Sequence, residues 1–322
     1  MPKRNILQYL IITLKGLAMG AADIVPGVSG GTIAFIAGIY EELVATIDKL
    51  NFGFFKQWRK NGFLSAWKEY NLAFLVALGI GAATSILLLA KVIESLIESN
   101  PIIVWAFFFG LVLASILYIA KQLTNWSAAV IVSLLISSVF AFLLSSLNPL
   151  TETHAIWFLF VAGFIAIIAM ILPGISGAFI LLLLGAYQPV IGLLNQLNQS
   201  ISQSDTTLLM ETIGKILVFM LGAAIGLKSF SKVLTWMFNN HKNITLAILT
   251  GFMIGALNKI WPWKKVLETR INSKGEAVPF IEKSVLPNNF DGNPQLTMAI
   301  LCMVGGFLII FILEKLATVK KQ

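Results

Sequence analysis

The sequence predicts an all-α polytopic membrane protein whose two halves repeat each other. Of its 322 residues, 57% are hydrophobic and only 12% are charged, and the mean hydropathy is +0.86. Soluble domains carry roughly 25% charged residues, so this composition excludes an ordinary soluble fold. Apolar runs long enough to span a bilayer follow one another along the chain. The segment Pro-Gly-Val-Ser-Gly at 26–30 also returns as Pro-Gly-Ile-Ser-Gly at 173–177.

Six uninterrupted apolar segments are predicted to be single transmembrane helices. They lie at 72–97, 102–120, 127–147, 208–237, 243–260 and 295–313. Two other stretches are interrupted pairs, divided at Pro26-Gly27 and at Pro173-Gly174, with arms at 6–24, 30–47, 155–171 and 177–194. Because a crossing takes roughly 20 apolar residues, each arm is marginal for a full span. Each pair is therefore either a re-entrant helical hairpin or two short tilted spans.

The repeat extends well beyond the motif. Segments 24–44 and 171–191 are identical at eight of 21 positions without a gap. Further matches begin at Gly81 and Gly222 and keep a constant offset of 141 residues. Each unit then holds one broken pair and three spans, so its number of crossings is odd whether or not the pair crosses. The second unit is accordingly predicted to be inverted relative to the first.

The predicted repeats occupy 1–150 and 151–322, with an extracytoplasmic loop at 261–294. With cytoplasmic termini, many loop cations lie inside, as the positive-inside rule requires. They are Lys3, Arg4, Lys49, Lys56, Arg59, Lys60, Lys68, Lys121, Lys242, Lys315, Lys320 and Lys321. The cations of the loop at 261–294 are the exception, although long loops obey this rule less strictly. Turn residues at 273–275 predict a small hairpin within that loop.

The two motifs predict an anion site. Glycines before an apolar helix leave unpaired backbone N–H groups at its N-terminus, which favours anions and phosphate above all. Inversion brings the two helix termini together near the bilayer midplane, as a cradle for one anionic head group. The predicted phosphate-binding residues are Gly27, Ser29, Gly30, Gly31, Thr32, Gly174, Ser176 and Gly177. The alternative is that these small residues only permit close packing of helices.

Asp23 is the predicted coupling residue, because a carboxylate beside an anion site in a membrane can take up a proton. Its counterpart in the second half is Met170, and that of Lys15 is Ala162, so the duplication has diverged here. The alternative for Asp23 is a structural role as partner of the backbone or of Lys15. Predicted accessory contacts are Lys15, Tyr40, Glu41, Lys91, Tyr187 and Lys232, with interfacial anchoring as the alternative for several of them.

Nothing in the sequence favours catalysis. The two histidines, His154 and His241, are far apart and show no metal-ligand spacing. Neither a nucleophile elbow nor a P-loop is present. The net charge of +8 lies in loops between spans, so we expect no nucleic acid partner, and neither a metal nor a cofactor is expected. The single cysteine, Cys302, excludes an internal disulfide.

The motifs resemble the signature of a known family. Residues 20–32, followed by Gly-Ile-Tyr-Glu at 38–41, look like the first motif of the PopT polyprenyl-phosphate transporters, the bacterial family formerly called domain of unknown function 368. Residues 172–177 and 185–187 are similar to its second motif, and the resemblance covers essentially the whole chain. Gln188 stands where this family tends to carry an acidic residue, which weakens any role for that position.

The resemblance implies a flippase of the bacterial cytoplasmic membrane. Its substrate would be undecaprenyl phosphate, the lipid carrier of cell-wall precursors, moved from the outer to the cytoplasmic leaflet for recycling. The resemblance also implies an inverted repeat with re-entrant helices. Asp23, and not the resemblance, predicts that protons or another ion drive the step. The alternative is a secondary transporter or channel for a small soluble anion, and a lipid-modifying enzyme is a third class.

Overall fold

The computed structural model describes residues 4–25, 28–51, 53–147, 155–271 and 277–319. The first half contains the helices α1 (Ile6–Ile24), α2 (Gly30–Ile36), α3 (Tyr40–Lys49), α4 (Gly53–Asn61), α5 (Phe63–Glu69), α6 (Leu72–Ser99), α7 (Pro101–Ala120) and α8 (Ala128–Ser145). The second half contains α9 (Ile156–Ile171), α10 (Gly177–Leu183), α11 (Tyr187–Ser202), α12 (Thr206–Asn240), α13 (Lys242–Ala256) and α14 (Leu296–Val319). Between α13 and α14 lie the strands β1 (Lys264–Ile271) and β2 (Ala277–Ser284) and a 3₁₀ turn (Pro287–Asn289).

The prediction of an all-α polytopic membrane protein is confirmed. Within the described residues, five helices are long and apolar enough to cross a membrane: α1, α6, α7, α8 and α12. The number rises to seven if each bent pair, α2 with α3 and α10 with α11, counts as one span. Shorter apolar helices are α9, α13 and α14. All six segments predicted as single spans coincide with helices of the structure.

The second arm of each broken pair differs from the prediction. Segments 30–47 and 177–194 are predicted as single helices, but each forms two, and the chain bends by 115° from α2 to α3 and by 112° from α10 to α11. Gly38 (φ +67°) and Gly185 (φ +65°) cause the bends, because a left-handed residue after the last helical turn ends a helix. A straight second crossing is thereby excluded for either arm.

The first broken pair returns the chain to the end of the molecule where it began. Arg4 Nη2 lies 2.5 Å from Glu42 Oε2, and Asn71 Nδ2 donates to Glu42 Oε1 at 2.8 Å. The starts of α1, α3 and α6 therefore meet at one end. Both alternatives predicted for this pair, a re-entrant hairpin and two short tilted spans, bring the chain back to the same side, so this return agrees with either.

Equivalent helices pack alike in the two halves. Gly81 of α6 lies against the carbonyl of Thr13, and Gly222 of α12 lies against the carbonyl of Phe160. Each pair of positions is related by the sequence repeat. A side chain at either glycine would overlap the neighbouring backbone, so small residues are needed for this approach. The repeat is thus preserved in packing as well as in sequence.

The two halves are intertwined rather than separate. Helix α7 packs against α14 and helix α8 against α13, so spans of the first half pair with spans of the second. The main apolar core joins side chains from α1, α2, α3, α6, α7, α12 and α13. One body results, and the boundary between the repeats near residue 150 stays a prediction.

The predicted hairpin between the last two spans is present. Strands β1 and β2 pair antiparallel, from Lys264 opposite Ser284 to Ile271 opposite Ala277. Its predicted turn at 273–275 lies outside the described residues. Trp261 Nε1 donates to the carbonyl of Val285 at 2.8 Å, and Ser284 Oγ donates to the carbonyl of Asn258 at 3.0 Å. These bonds hold the hairpin against the end of α13.

Candidate functional site at the two broken helices

The two motifs touch each other. Ser29, the N-cap of α2, donates from Oγ to the carbonyl of Met170 at 3.0 Å, close to the end of α9. In return, the backbone N–H of Gly174 donates to Thr32 Oγ1 at 2.8 Å. Two residues from the predicted phosphate set of one half therefore bond to the break region of the other.

Several motif glycines are required, either by close packing or by the backbone conformation. A Cβ at Gly31 would collide with the carbonyls of Met170 and Ile171, and one at Gly177 would lie 2.9 Å from the carbonyl of Ala166. Gly174 adopts φ +89°, a conformation that L side chains rarely take. The packing explanation accordingly accounts for part of the glycine content of the two motifs. Gly27 lies outside the described residues.

Helix α2 is held at both ends by charged side chains of α1. Gly30 N donates to Asp23 Oδ1 at 2.6 Å, and Lys15 Nζ donates to the carbonyl of Ala37 at 2.6 Å. A carboxylate at the N-terminus and an ammonium at the C-terminus both complement the helix dipole. Eight residues along α1 rise about 12 Å, which matches the length of a seven-residue helix running antiparallel to it. We call Asp23 and Lys15 the clamp.

The first motif satisfies its own hydrogen bonds. Besides the bond of Gly30 to Asp23, Gly31 N donates to Ser29 Oγ at 3.1 Å and Thr32 N to the carbonyl of Ser29 at 2.9 Å. The carboxylate of Asp23 thus occupies the position that a bound anion takes at a helix N-terminus. The structural alternative for Asp23, as partner of the backbone, is realised in this conformation.

The second motif is built differently. Ser176 is the N-cap of α10 but makes no capping bond from its side chain. Ala162 and Met170, which replace the clamp residues, cannot hold the ends of α10 through charge. Instead, Gly174 packs against α13, where a Cβ would lie 3.0 Å from the Cα of Met253. Close packing and the bond from Gly174 N to Thr32 Oγ1 hold this copy.

Two adjoining cavities open beside the second motif. A narrow one of about 10 Å³ reaches Gly174, Ile175 and Ser176. A larger one of about 410 Å³ lies between the end of α8, α10 and the β-hairpin. Three residues line both cavities: Ser145, Phe179 and Lys259. The motif therefore connects with a space large enough for a ligand head group.

Lys259 is the cation of this region, and it is not among the site residues predicted from the sequence. Its Nζ lies 4.7 Å from the ring centroid of Phe179, and it forms no ion pair with any residue that the structure describes. The carboxylate of Glu282 interacts with Lys259 electrostatically. A lone charge at the end of the apolar segment 243–260 was the signal that could have identified it.

The neighbouring cation is already paired. Lys264 Nζ lies 3.5 Å from Glu282 Oε2 and 3.9 Å from the ring centroid of Trp105. Burial, opposed by Glu282, lowers the pKa of Lys264 to about 8. Glu282 therefore forms an ion pair with Lys264, whereas Lys259 forms none with the residues that the structure describes.

The other predicted accessory residues lie in varied surroundings. Tyr40 is buried between Phe35 and Phe238, with ring centroids 5.1 and 6.0 Å away, and its hydroxyl has no hydrogen-bond partner in the described part of the chain. Glu41 pairs with Lys242 at 2.8 Å. The side chains of Lys91 on α6 and Lys232 on α12 are exposed, whereas that of Tyr187 at the start of α11 is half-buried. Ligand contact by these residues stays a prediction.

Two broken helix pairs that meet at their breaks within a polytopic helical protein are typical of secondary transporters. The chain matches the VCA0040-like family, described as undecaprenyl phosphate translocase-like, over residues 19–278, and it belongs to that family. The resemblance inferred from the motifs is confirmed.

Two relatives are named polyprenyl-phosphate transporters. The chain is 41% identical over 315 residues to a polyprenyl-phosphate transporter of Vibrio cholerae, covering 97% of this chain and 98% of that protein. It is 29% identical over 262 residues to a polyprenyl-phosphate transporter of Staphylococcus aureus, covering 77% and 85% of the two chains. No solved structure matches this chain.

Proposed function

We propose that this chain is a flippase that carries polyprenyl phosphate, in particular undecaprenyl phosphate, from the outer to the cytoplasmic leaflet of a bacterial cytoplasmic membrane. The lipid carrier of the cell envelope would thereby be recycled. Membership of the translocase-like family carries this proposal, together with near full-length similarity to a named polyprenyl-phosphate transporter. No enzymatic step is required.

The contact between the two motifs is the proposed site for the phosphate. Head-group oxygens would bind the hydroxyls of Ser29, Thr32 and Ser176 and the backbone of the motif glycines, with the polyprenyl tail remaining in the lipid. Large apolar side chains on α6, α8 and α12 are exposed and suit such a tail, Leu87 and Met210 among them. A polar site with lateral access to lipid is what this amphipathic substrate needs.

Asp23 is the proposed coupling residue. In the described conformation its carboxylate holds Gly30 N and occupies the terminus of α2. Protonation would weaken that bond, because a neutral carboxyl accepts less strongly than a carboxylate. The terminus would then be free for phosphate, and the proton would move with the substrate. Only the first half carries this residue.

The proposed topology places both termini in the cytoplasm and inverts the second half. Gly251 of α13 lies near Leu134, and Gly255 near Ser138, so α8 and α13 run in the same direction. A non-inverted repeat would give α13 the direction of its counterpart α7, opposite to α8. The parallel course of α8 and α13 supports inversion.

Reconstitution in liposomes tests the proposal. Undecaprenyl phosphate would be placed in one leaflet, and its appearance in the other leaflet would be measured with and without the purified chain. Transfer at least tenfold faster than in protein-free vesicles is expected. A rate equal to that of protein-free vesicles contradicts the proposal, and uptake of inorganic phosphate in its place would identify a transporter of small soluble anions.

A further inference from the structure

We propose that the cavity of about 410 Å³ beneath the β-hairpin is the entry site for the substrate, with Lys259 as the ligand of the phosphate. This inference rests on the proposed function and adds a second binding position to it. The ligand class is a phosphate monoester on an isoprenoid chain. Neither the sequence motifs nor the contact between them includes this position.

The lining of the cavity suits both parts of such a ligand. Its polar lining residues include Ser145, Ser146, Asn258, Lys259 and Glu282. Its apolar lining residues include Phe142, Phe179, Leu182 and Leu183. Ligand sites typically combine an apolar wall with a few polar groups that fix orientation. A phosphate ester joined to its first isoprene units has this division of polarity.

Lys259 is the residue that needs an external anion. It is half-buried, its charge lies against the face of Phe179, and the carboxylate of Glu282 interacts with it electrostatically without forming an ion pair. A partly buried cation that forms no ion pair of its own is unfavourable, and a phosphate would compensate it. Glu282, the nearby carboxylate, is engaged by Lys264 at 3.5 Å. The local charges therefore leave one cation available within the cavity.

The cavity leads to the second motif. Lys259 and Phe179 line both this space and the narrower one that reaches Gly174 and Ser176. A phosphate bound at Lys259 thus has a direct route to the place where the two motifs touch. The hydroxyl of Ser176, which makes no capping bond to α10, lies along that route.

The β-hairpin covers the cavity on one side, and this position gives a reason for the cations of the loop 261–294, which are an exception to the positive-inside rule. Residues 280–284 of β2 line the cavity, and the exposed Lys283 lies at its rim. Bonds from Trp261 and Ser284 fix the hairpin to the end of α13. Cations in this loop depart from the positive-inside pattern, and attraction of an anionic head group gives them a function.

Binding measurements on the full chain in nanodiscs test the inference. Farnesyl phosphate, farnesol and inorganic phosphate are titrated by calorimetry against the wild type, Lys259→Gln and the control Lys265→Gln. Lys265 is exposed and pairs with Asp291 at 3.0 Å, outside the cavity. Lys259→Gln is expected to weaken farnesyl phosphate at least tenfold and to leave farnesol unchanged, whereas Lys265→Gln stays within twofold of the wild type.

A second variant keeps the test decisive if Lys259→Gln fails to fold. Leu182→Trp places a larger side chain in the cavity. It is expected to weaken the binding of farnesyl phosphate and to leave the binding of inorganic phosphate unchanged. Wild-type affinity for farnesyl phosphate in a folded Lys259→Gln or Leu182→Trp protein overturns the entry site. If such a variant also moves undecaprenyl phosphate in liposomes, the proposed function survives without it. A wild type that moves no lipid rejects the proposed function itself.

Discussion

The two broken pairs share a backbone plan but are held in opposite ways. In the first, Asp23 and Lys15 bond to the two ends of α2, and its N-terminal N–H groups are satisfied. In the second, Met170 and Ala162 stand in place of the clamp, and α10 adjoins a cavity that contains Lys259. Duplication thus produced one copy fixed by polar bonds within the protein and one copy beside open space.

This difference suggests a division of labour between the halves. A helix of seven residues is too short to be stable alone, so α2 depends on its neighbours for its position. The clamp fixes the position of α2, and the hydroxyls of Ser29 and Thr32 form hydrogen bonds with the second half. The second half has no counterpart of the clamp, because Ala162 and Met170 stand in those positions, and the proposed entry site places the arrival of substrate on this side. Breaking the clamp and altering the open side should therefore have separable effects.

The largest effect is expected from filling the contact between the motifs. Gly31→Val would push a side chain into the carbonyls of Met170 and Ile171, and overpacking of this kind costs about 1–3 kcal/mol or more. The matched position in the second half is Ala178, which is exposed. Ala178→Val should change stability by less than about 0.5 kcal/mol. Thermal unfolding in detergent measures both, and equal losses would contradict the asymmetry.

An intermediate effect is expected at Asp23. Asp23→Ala leaves Gly30 N without its charged acceptor, and bonds to charged groups contribute about 1.5–3 kcal/mol. Asp23→Asn keeps an acceptor oxygen, so the fold should survive while the titrating group is lost. Transport by the wild type should rise as pH falls through the titration of Asp23, and this dependence should vanish in Asp23→Asn.

The control for the coupling role is another aspartate of the same half. Asp48 accepts a bond from Lys228 through its backbone carbonyl and lies 3.4 Å from that amine through its side chain. Asp48→Asn should retain the pH dependence of transport in the liposome assay. If Asp23→Asn also retains it, proton coupling through Asp23 is rejected and the clamp alone remains.

Much of this arrangement was predictable from local signals. The helix breaks follow from the Pro-Gly pairs, and the repeat follows from identities at a constant spacing. The meeting of the two motifs is expected from the predicted inversion of the repeat. The bend after α2 was missed because a glycine within an apolar run is compatible with a continuing helix. Gly38 and Gly185 are nonetheless among the identical positions of the repeat, which in retrospect indicated a shared backbone requirement.

The clamp and the cavity needed three-dimensional information. Lys15 and Asp23 are too far apart to pair along one helix, and only the antiparallel placement of α2 shows that each serves one of its ends. Lys259 lies near the end of the segment 243–260, which is predicted to span the membrane, and no site role is predicted for it. Its role depends on which residues of α8, α10 and β2 surround it, and sequence spacing does not determine that.

The smallest effect is expected at the other end of the clamp. Lys15→Met removes the bond to the carbonyl of Ala37 but leaves Asp23 in place, and a charge at a helix C-terminus contributes about 0.3–1 kcal/mol. Lys91→Met, at an exposed position on α6, serves as the control and should leave thermal unfolding unchanged. Because Lys15 holds the end of α2 that precedes the bend, its loss should slow transport without removing the pH dependence set by Asp23. A Lys15→Met protein that loses its pH dependence would show instead that the two ends of α2 act as one unit, and the clamp would then be part of the coupling itself.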